Sequence, residues 1–285
     1  MASDLVSSAD SWSQSAHSLL QTAFQGPTII LNEVLLDKIN EISPFGAANA
    51  ILDNGCGVGQ VLGRLIEKYG QNIPSGARLV AADLSEGMIE VVQQRKEKEV
   101  AKGNNLWQRV EVKMWDAESL YGVPDGSFSH VSAGLLFLML ANPQCALQES
   151  RRVLRDHGIL ALSSFRQVEW MDFIENHLGL VKPGTTLGSI PLSWASTNST
   201  IQELEDAGFK NVSAEEVQVW YEFDDAELMT RFNMTNIPSV KAATAGMTDD
   251  EVEKAVQLMI LELGRRFPDG KGRLGGIALV AFGTK

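Results

Sequence analysis

The sequence predicts a doubly wound α/β fold built around a mainly parallel sheet, and three observations carry that prediction. Between residues 48 and 165, short apolar runs alternate with longer stretches of helical periodicity. The first run breaks into a glycine-dense turn, "LDNGCGVG" at 52–59. Acids close the first three runs: Asp53, Asp83 and Asp116.

The elements follow in order. Residues 9–24 and 27–42 read as helices; in the second, Ile30, Val34 and Ile39 recur near helical spacing and Pro27 suits a first turn. "ANAILD" is a short buried strand, and "VGQVLGRLIEKYG" is a helix stopped by Gly70. "ARLVAADL" is the second strand. The helix "SEGMIEVVQQRKEKEVAKG" has Ser85 as N-cap and Gly103 at its end. "QRVEVKMWD" and "FSHVSAGLLF" are the third and fourth strands, "PQCALQESRRVLRDHG" a helix and "GILALSSF" the fifth strand. Helices between successive strands imply crossovers, hence parallel pairing.

Beyond this alternation, 168–180 reads as helix and 181–197 as a Gly/Pro/Ser/Thr-rich loop holding Trp194. "STIQELEDAGF" is a helix with Ser199 or Thr200 as its cap and Gly208 at its end. "NVSAEEVQVWYEF" is a long strand, 224–267 is mostly helical and "GGIALVAFGT" is a seventh strand. A connection as long as 224–267 is expected to form a lid or pocket wall.

Composition narrows the function. The 285 residues are 44% hydrophobic and 21% charged, the balance of a soluble globular chain. The densest apolar stretch, "VSAGLLFLMLA" at 131–141, is well short of the roughly 18 residues a membrane span needs. The first 25 residues include Asp4 and Asp10 and have no basic start leading into an apolar stretch, so no signal peptide is expected. Cys56 and Cys145 form no disulfide framework or metal spacing, which fits a reducing, cytoplasmic setting. The net charge of −12 and the acid-interrupted basic run "QQRKEKEVAK" argue against a nucleic-acid partner. A small molecule is the expected substrate, and oligomeric state is not readable.

In an open α/β sheet, ligands bind outside the carboxyl ends of the strands where strand order reverses. Gly55, Gly57 and Gly59 fall at that place, where glycine lets a ligand approach the main chain. The dinucleotide spacing G-x-G-x-x-G fails at Gln60, and no Gly-Lys-Ser/Thr ending marks a triphosphate loop. The observed G-x-G-x-G, preceded by an acid, resembles the first motif of the class I S-adenosylmethionine-dependent methyltransferases. Asp83 and Asp116 extend the resemblance, which covers 48–165 well and the flanks in outline.

The resemblance implies a seven-stranded, Rossmann-like sheet whose last strand runs antiparallel, with S-adenosylmethionine as cofactor. It places the methionine moiety on the backbone around Asn54 and Gly55, with Asp53 near its amino group. It places the ribose on Asp83, the adenine faces on Leu84 and Met88, and the adenine edge on Asp116 and Ala117. Gly134–Leu135 would lie beneath the sulfonium. The family often has an acid early in the fourth strand, where this chain has His130. "LDNGCGVG", "ADLSEGM" and "SSFRQVEWM" together look most like small fungal natural-product methyltransferases, and more loosely like the thiomethyltransferase type that caps the dithiol of reduced gliotoxin.

Methyl transfer from a sulfonium is an in-line displacement, so much of its catalysis comes from positioning, and a base is needed only where the acceptor must lose a proton. His17, His130, His157 and His177 are the available bases, and none is assigned that role. Phe137, Trp170 and Trp194 are the expected acceptor contacts, with Phe232 and Met234 as further candidates and the helix carrying Trp12 and Phe24 as a lid. The expected organisation is one domain over 1–285, with a cofactor-binding core at 48–165 and cap elements at 1–45, 168–200 and 224–267. The expected reaction methylates O, N or S of a small apolar acceptor. A methyltransferase-like fold that binds the cofactor without transferring methyl, or that guides a cyclisation by shape, is the alternative. A nicotinamide oxidoreductase is a second, opposed by Gln60 and Asp116.

Overall fold

A computed structural model describes residues 8–22 and 26–285. Two helices lead, α1 (Ala9–Thr22) and α2 (Pro27–Ile42). Next come β1 (Ala50–Asn54), α3 (Gln60–Tyr69), β2 (Arg78–Asp83), α4 (Glu86–Ala101), the single turn α5 (Asn105–Gln108) and β3 (Val110–Met114). β4 (Phe128–Ala133), α6 (Pro143–Val153) and β5 (Leu154–Val168) complete the alternating part. Then follow α7 (Glu169–Val181), α8 (Thr197–Asp206) and β6 (Lys210–Phe223). The chain ends with α9 (Ala226–Asn236), α10 (Pro238–Thr244), α11 (Asp249–Arg266) and β7 (Gly272–Thr284).

The seven strands form one sheet in the order β3-β2-β1-β4-β5-β7-β6. β1 is parallel to β2 and β4, β2 to β3 and β4 to β5, while β7 runs antiparallel to both β5 and β6. The expected mainly parallel sheet with a reversed last strand is therefore what forms. Strand order turns back at β1, with β2 and β3 on one side and β4 and β5 on the other, so the crevice for a ligand opens there.

Burial follows from this layering. All of β1 is buried, because helices cover both faces of a parallel sheet. One face packs Ile51 and Leu79 against Leu31, Leu35, Leu62 and Leu65; the other packs Leu52 and Val80 against Leu147 and Leu204. A third, smaller cluster joins Ala16 of α1 to Val58, Met88 and Val91. α11 packs against α7 and α9 beside β7, with Met259 and Leu263 fully buried.

Several boundaries differ from the sequence expectation, each for a local reason. The helix expected from Val58 starts at Gln60, because Gly57 and Gly59 hold left-handed φ values of 52° and 77°. The fourth strand ends at Ala133: Leu135 takes φ 55°, and Phe137–Met139 tightens into a 3-10 turn. α6 ends at Val153 because the chain pairs with β4 from Leu154 onward. Ser85 caps α4 as expected, accepting the Met88 N–H at 3.3 Å. The cap of α8, however, is Ser196, which accepts from Ser199 N–H at 3.1 Å.

Candidate cofactor site

The carboxyl ends of β1 to β4 surround a cavity of about 330 Å³, a size typical of small-molecule sites. Its floor is the glycine turn. Gly55 has φ 68°, a conformation that strains any other residue, and a Cβ there would also crowd Leu136, 2.6 Å from its Cδ1. Gly57 also lines the cavity, and a Cβ on it would meet nothing within 4 Å among the described residues. The turn is tied down by Cys56 N–H donating to the Ala82 carbonyl at 2.9 Å.

Asp83 anchors the same turn from β2. Its Oδ2 accepts from Gly57 N–H and its Oδ1 from Ser85 N–H, both at 2.9 Å. A carboxylate has about four acceptor sites, so Asp83, which lines the cavity, keeps capacity for ligand hydroxyls, as a vicinal diol would offer. Burial pushes the Asp83 carboxyl above the usual range, against the pull of the backbone N–H groups of Ser85, Gly57 and Leu84.

Asp116 stands after β3. Its Oδ1 accepts from Glu118 N–H at 2.8 Å, which fixes the carboxylate at the cavity edge beside Ala117. Leu84 and Met88 line the cavity between these acids, the first half exposed and the second buried. Leu135 N–H donates to Ser163 Oγ at 3.1 Å, a bond that accompanies the left-handed backbone at Leu135. Gly55, Asp83, Leu84, Met88, Asp116, Ala117 and Leu135 are thus brought to one cavity.

Two expected residues are not. Asp53 is 1% exposed and does not line the cavity. Its Oδ2 accepts from Leu62 N–H at 3.0 Å and its Oδ1 from Ser132 Oγ at 3.2 Å, so it pins α3 and β4 to β1. Burial lifts its pKa to about 7 despite those two donors. Asn54 is fully buried, also off the cavity, and neither atom of its carboxamide has a hydrogen-bond partner.

The aromatic acceptor contacts need correcting. Phe137 and Trp194 are buried against each other, ring centroids 5.2 Å apart, under the sheet face that carries α6 and α8. Trp194 sits there because its loop folds inward, its carbonyl accepting from Ser164 Oγ at 2.7 Å. Trp170 is packed edge-on between Phe165 and Tyr221. Met234 is core and Phe232 is half-buried, and no residue of 168–200 or 224–267 lines the cavity among the described residues. The walls come instead from α1 and α2 and from the segment after β4.

On α1, Trp12 and Leu19 line the cavity; Phe24 lies outside the described residues. Ser13 docks α1 on the start of α4: its Oγ accepts from Gly87 N–H at 3.2 Å and meets Ser85 Oγ at 2.8 Å. Thr28 and Asn32 of α2, Gln60, Trp115, Met139 and Leu140 also line the cavity and were not singled out. Asn32 had a legible signal, being a polar residue within the stripe Leu31, Leu35, Leu36 and Ile39. None of the four histidines lines the cavity. The ring nitrogens of His130 meet Ser129 Oγ and the Ser43 carbonyl, and those of His177 meet the Phe173 carbonyl and Glu262.

The site fits an adenosyl ligand. It offers a glycine cradle open above Gly57, a carboxylate poised for two hydroxyls, a second carboxylate one strand further out and apolar walls between them. Comparison with known proteins agrees. Residues 52–162 match a family described as a methyltransferase domain. A methyltransferase from an Acremonium species, ucsB, is 29% identical over 99% of this chain and 97% of its own length. The Aspergillus fumigatus methyltransferase tpcH is 27% identical over 82% of this chain and 84% of its own. The Haemonchus contortus phosphoethanolamine N-methyltransferase 2, solved with S-adenosylhomocysteine, shares the fold with a TM-score of 0.52 and 14% identity, covering 89% of this chain and 52% of that one.

Proposed function

Because the chain is an S-adenosylmethionine-dependent methyltransferase, we propose that its acceptor is a small, largely apolar metabolite that presents an acidic or lone-pair-rich heteroatom: a thiol, a phenol or an amine. When bound, the cofactor supplies an electrophilic methyl group on a sulfonium. The rest of the work falls to the chain's own residues. Asp83 would hold the ribose hydroxyls, Asp116 with Ala117 the adenine edge, and Leu84 with Met88 the adenine faces. The turn at Gly55 and the backbone at Gly134–Leu135 would carry the methionine end.

The observation behind the choice of acceptor is the lack of a base at that end. Among the described lining residues, the titratable groups are Cys56, Asp83 and Asp116. The two acids stand at the ends of β2 and β3, and burial pushes the Cys56 thiol up, keeping it protonated. Among the described lining residues, none near Gly134 can take a proton from an aliphatic alcohol. An acceptor that ionises by itself, or that carries a free lone pair, needs no such help. Leu19, Leu135, Leu136, Met139 and Leu140 give the cavity an apolar wall suited to an apolar acceptor.

Three further features support a small-molecule setting. The net charge of −12 disfavours a polyanionic substrate. No helix among the described residues is long and apolar enough to cross a membrane. The free thiols Cys56 and Cys145 suit a reducing cytoplasm. The likeness of "LDNGCGVG", "ADLSEGM" and "SSFRQVEWM" to natural-product methyltransferases, together with fungal methyltransferases as relatives, supports a place in secondary metabolism. The continuous core from α2 through β7 supports a single domain.

The test is transfer of labelled methyl to a panel of alkyl thiols, phenols, arylamines and aliphatic alcohols, read across pH. For thiols and phenols, kcat/KM should rise with pH and level off near the acceptor's own pKa, about 8.5 for an alkyl thiol and about 10 for a phenol. Transfer to alcohols alone, or a plateau that ignores the acceptor's pKa, overturns the proposal.

A further inference from the structure

Strand order gives the cavity two ends. Asp116 follows β3 and Gly134 follows β4, three strands apart in the sheet and so roughly 14 Å at about 4.8 Å per strand. The acids Asp83 and Asp116 lie toward the β3 end. At the β4 end, the polar side chains are neutral: Thr28 and Asn32, one helical turn apart on α2, and Gln60 at the start of α3. Thr28 Oγ1 accepts from Gln60 Nε2 at 3.4 Å.

Asn32 stands out among them. It is 7% exposed, it lines the cavity, and its Oδ1 lies 3.8 Å from where a Cβ of Gly134 would stand. Its carboxamide has no hydrogen-bond partner among the described residues. The amide opens onto the cavity, and a ligand that covered it without pairing it would incur about 1–3 kcal/mol. The group is both donor and acceptor, so a ligand offering both kinds of partner completes it.

The cofactor's amino-acid end is such a ligand. Ammonium and carboxylate together carry no net charge, which suits a neutral carboxamide better than it would suit a lone Lys or Asp. The start of α3 adds to the fit: its N-cap, Gly59, makes no side-chain cap, and helix N-termini favour carboxylates. Asp53, which the family resemblance places near the amino group, has both oxygens engaged elsewhere.

We propose that Asn32 is the positioning residue through which α2 reads the amino-acid end of S-adenosylmethionine, Oδ1 accepting from the ammonium and Nδ2 donating to the carboxylate. This assignment rests on the methyltransferase reading and deepens it. By fixing the tail, Asn32 sets where the sulfonium lies relative to Gly134 and Leu135.

Two ligands separate this role from any other. S-adenosylhomocysteine and 5′-methylthioadenosine share the adenosine and the thioether, but only the first has the amino-acid end. Calorimetry on the full chain should show wild type preferring S-adenosylhomocysteine. Asn32→Leu, which keeps volume and loses the amide, should weaken S-adenosylhomocysteine about tenfold and leave 5′-methylthioadenosine within about twofold. Asn32→Ala, which removes the amide without placing apolar bulk in the cavity, should give the same selective loss and serves should the first variant fail to fold. Equal loss on both ligands, or an unchanged ratio between them, overturns the role of Asn32. Failure of wild type to bind either ligand would instead overturn the methyltransferase reading.

Discussion

Asp53 and Asp83 end adjacent strands, yet they serve different neighbours. Asp83 faces the cavity and clamps the N–H groups of Gly57 and Ser85, whereas Asp53 faces α3 and holds Leu62 N–H and Ser132. Asn in place of Asp83 has a single acceptor oxygen and no charge, so one backbone clamp is lost. Hydrogen bonds to charged groups contribute about 1.5–3 kcal/mol, so Asp83→Asn should weaken S-adenosylhomocysteine at least tenfold by calorimetry. Asp53 predicts a pH effect instead. Its pKa is about 7 in the fold against 3.8 for a free side chain. Between those values the native state holds a proton that the unfolded chain has released, so stability falls as pH rises through that window. Asp83, also raised, adds to the fall with the same sign. Thermal denaturation of Asp53→Asn should therefore show a flatter Tm between pH 4 and 7 than wild type; parallel curves would remove Asp53 as the source. Three acids at strand ends were legible because strand ends are legible. The side each carboxylate faces depends on which helix N–H groups lie within reach, and that is set by tertiary packing. Trp194 was misread for a related reason: a polar loop sequence says nothing of a loop that folds inward to let Ser164 hold its backbone.

The element on which the site's enclosure depends is α1, and its seat on α4 is narrow. A Cβ on Gly87 would lie 2.6 Å from the Ser13 carbonyl oxygen and 2.8 Å from Ser13 Cα, both backbone atoms that cannot swing aside. The same contact lets Ser13 Oγ reach Gly87 N–H and Ser85 Oγ. Gly87→Val should thus push α1 off α4 and open the cavity wall formed by Trp12 and Leu19. Overpacking costs typically 1–3 kcal/mol, so S-adenosylhomocysteine affinity should fall about tenfold or more, while cleavage within α1 under limited proteolysis accelerates. An unchanged affinity would mean that α1 contributes no wall that the ligand uses. Helices of the core were readable from caps and periodicity, as at Ser85 and Gly208. What was not readable was the seat itself, because it depends on a glycine one residue into α4 meeting a helix 74 residues earlier in the chain. The end of β4 shows the same limit. Leu135 adopts φ 55°, a conformation no propensity assigns to leucine, with its N–H bonded to Ser163 on the neighbouring strand.

At the scale of the whole molecule, the cavity is a seam between two layers. The strand ends and the glycine turn supply its floor, and α1 and α2 supply its roof. The late segments 168–200 and 224–267, which their length marked as pocket walls, instead extend the core beside β7, where Phe173, Met229, Met259 and Leu263 pack together. Length alone signals that a connection has a purpose, but not which face of the sheet it covers. The βα alternation, by contrast, made a mainly parallel sheet legible, and the glycine turn after its first strand marked the place of the crevice. The two-layer seam makes a spatial prediction for hydrogen exchange. A ligand that touches only the floor would protect only the turn over Gly55–Gly59 and the end of β2. A ligand seated in the seam must bridge floor and roof, so it should slow exchange in α1, the first turns of α2 and Phe137–Met139 together with the turn. In free protein, α1 should be the fastest of these, since its small cluster with Val58, Met88 and Val91 is separate from the two main cores. Saturating S-adenosylhomocysteine should raise α1 protection most, because binding adds stability of about 2.7 kcal/mol at a hundredfold excess over Kd to whatever opening must release the ligand. β6 and α9 to α11 should gain only the increment that global unfolding shares. Protection confined to the glycine turn, with α1 and α2 unchanged, would show that the roof does not close on the ligand, and would return the lid and the Asn32 contact to the status of bare packing.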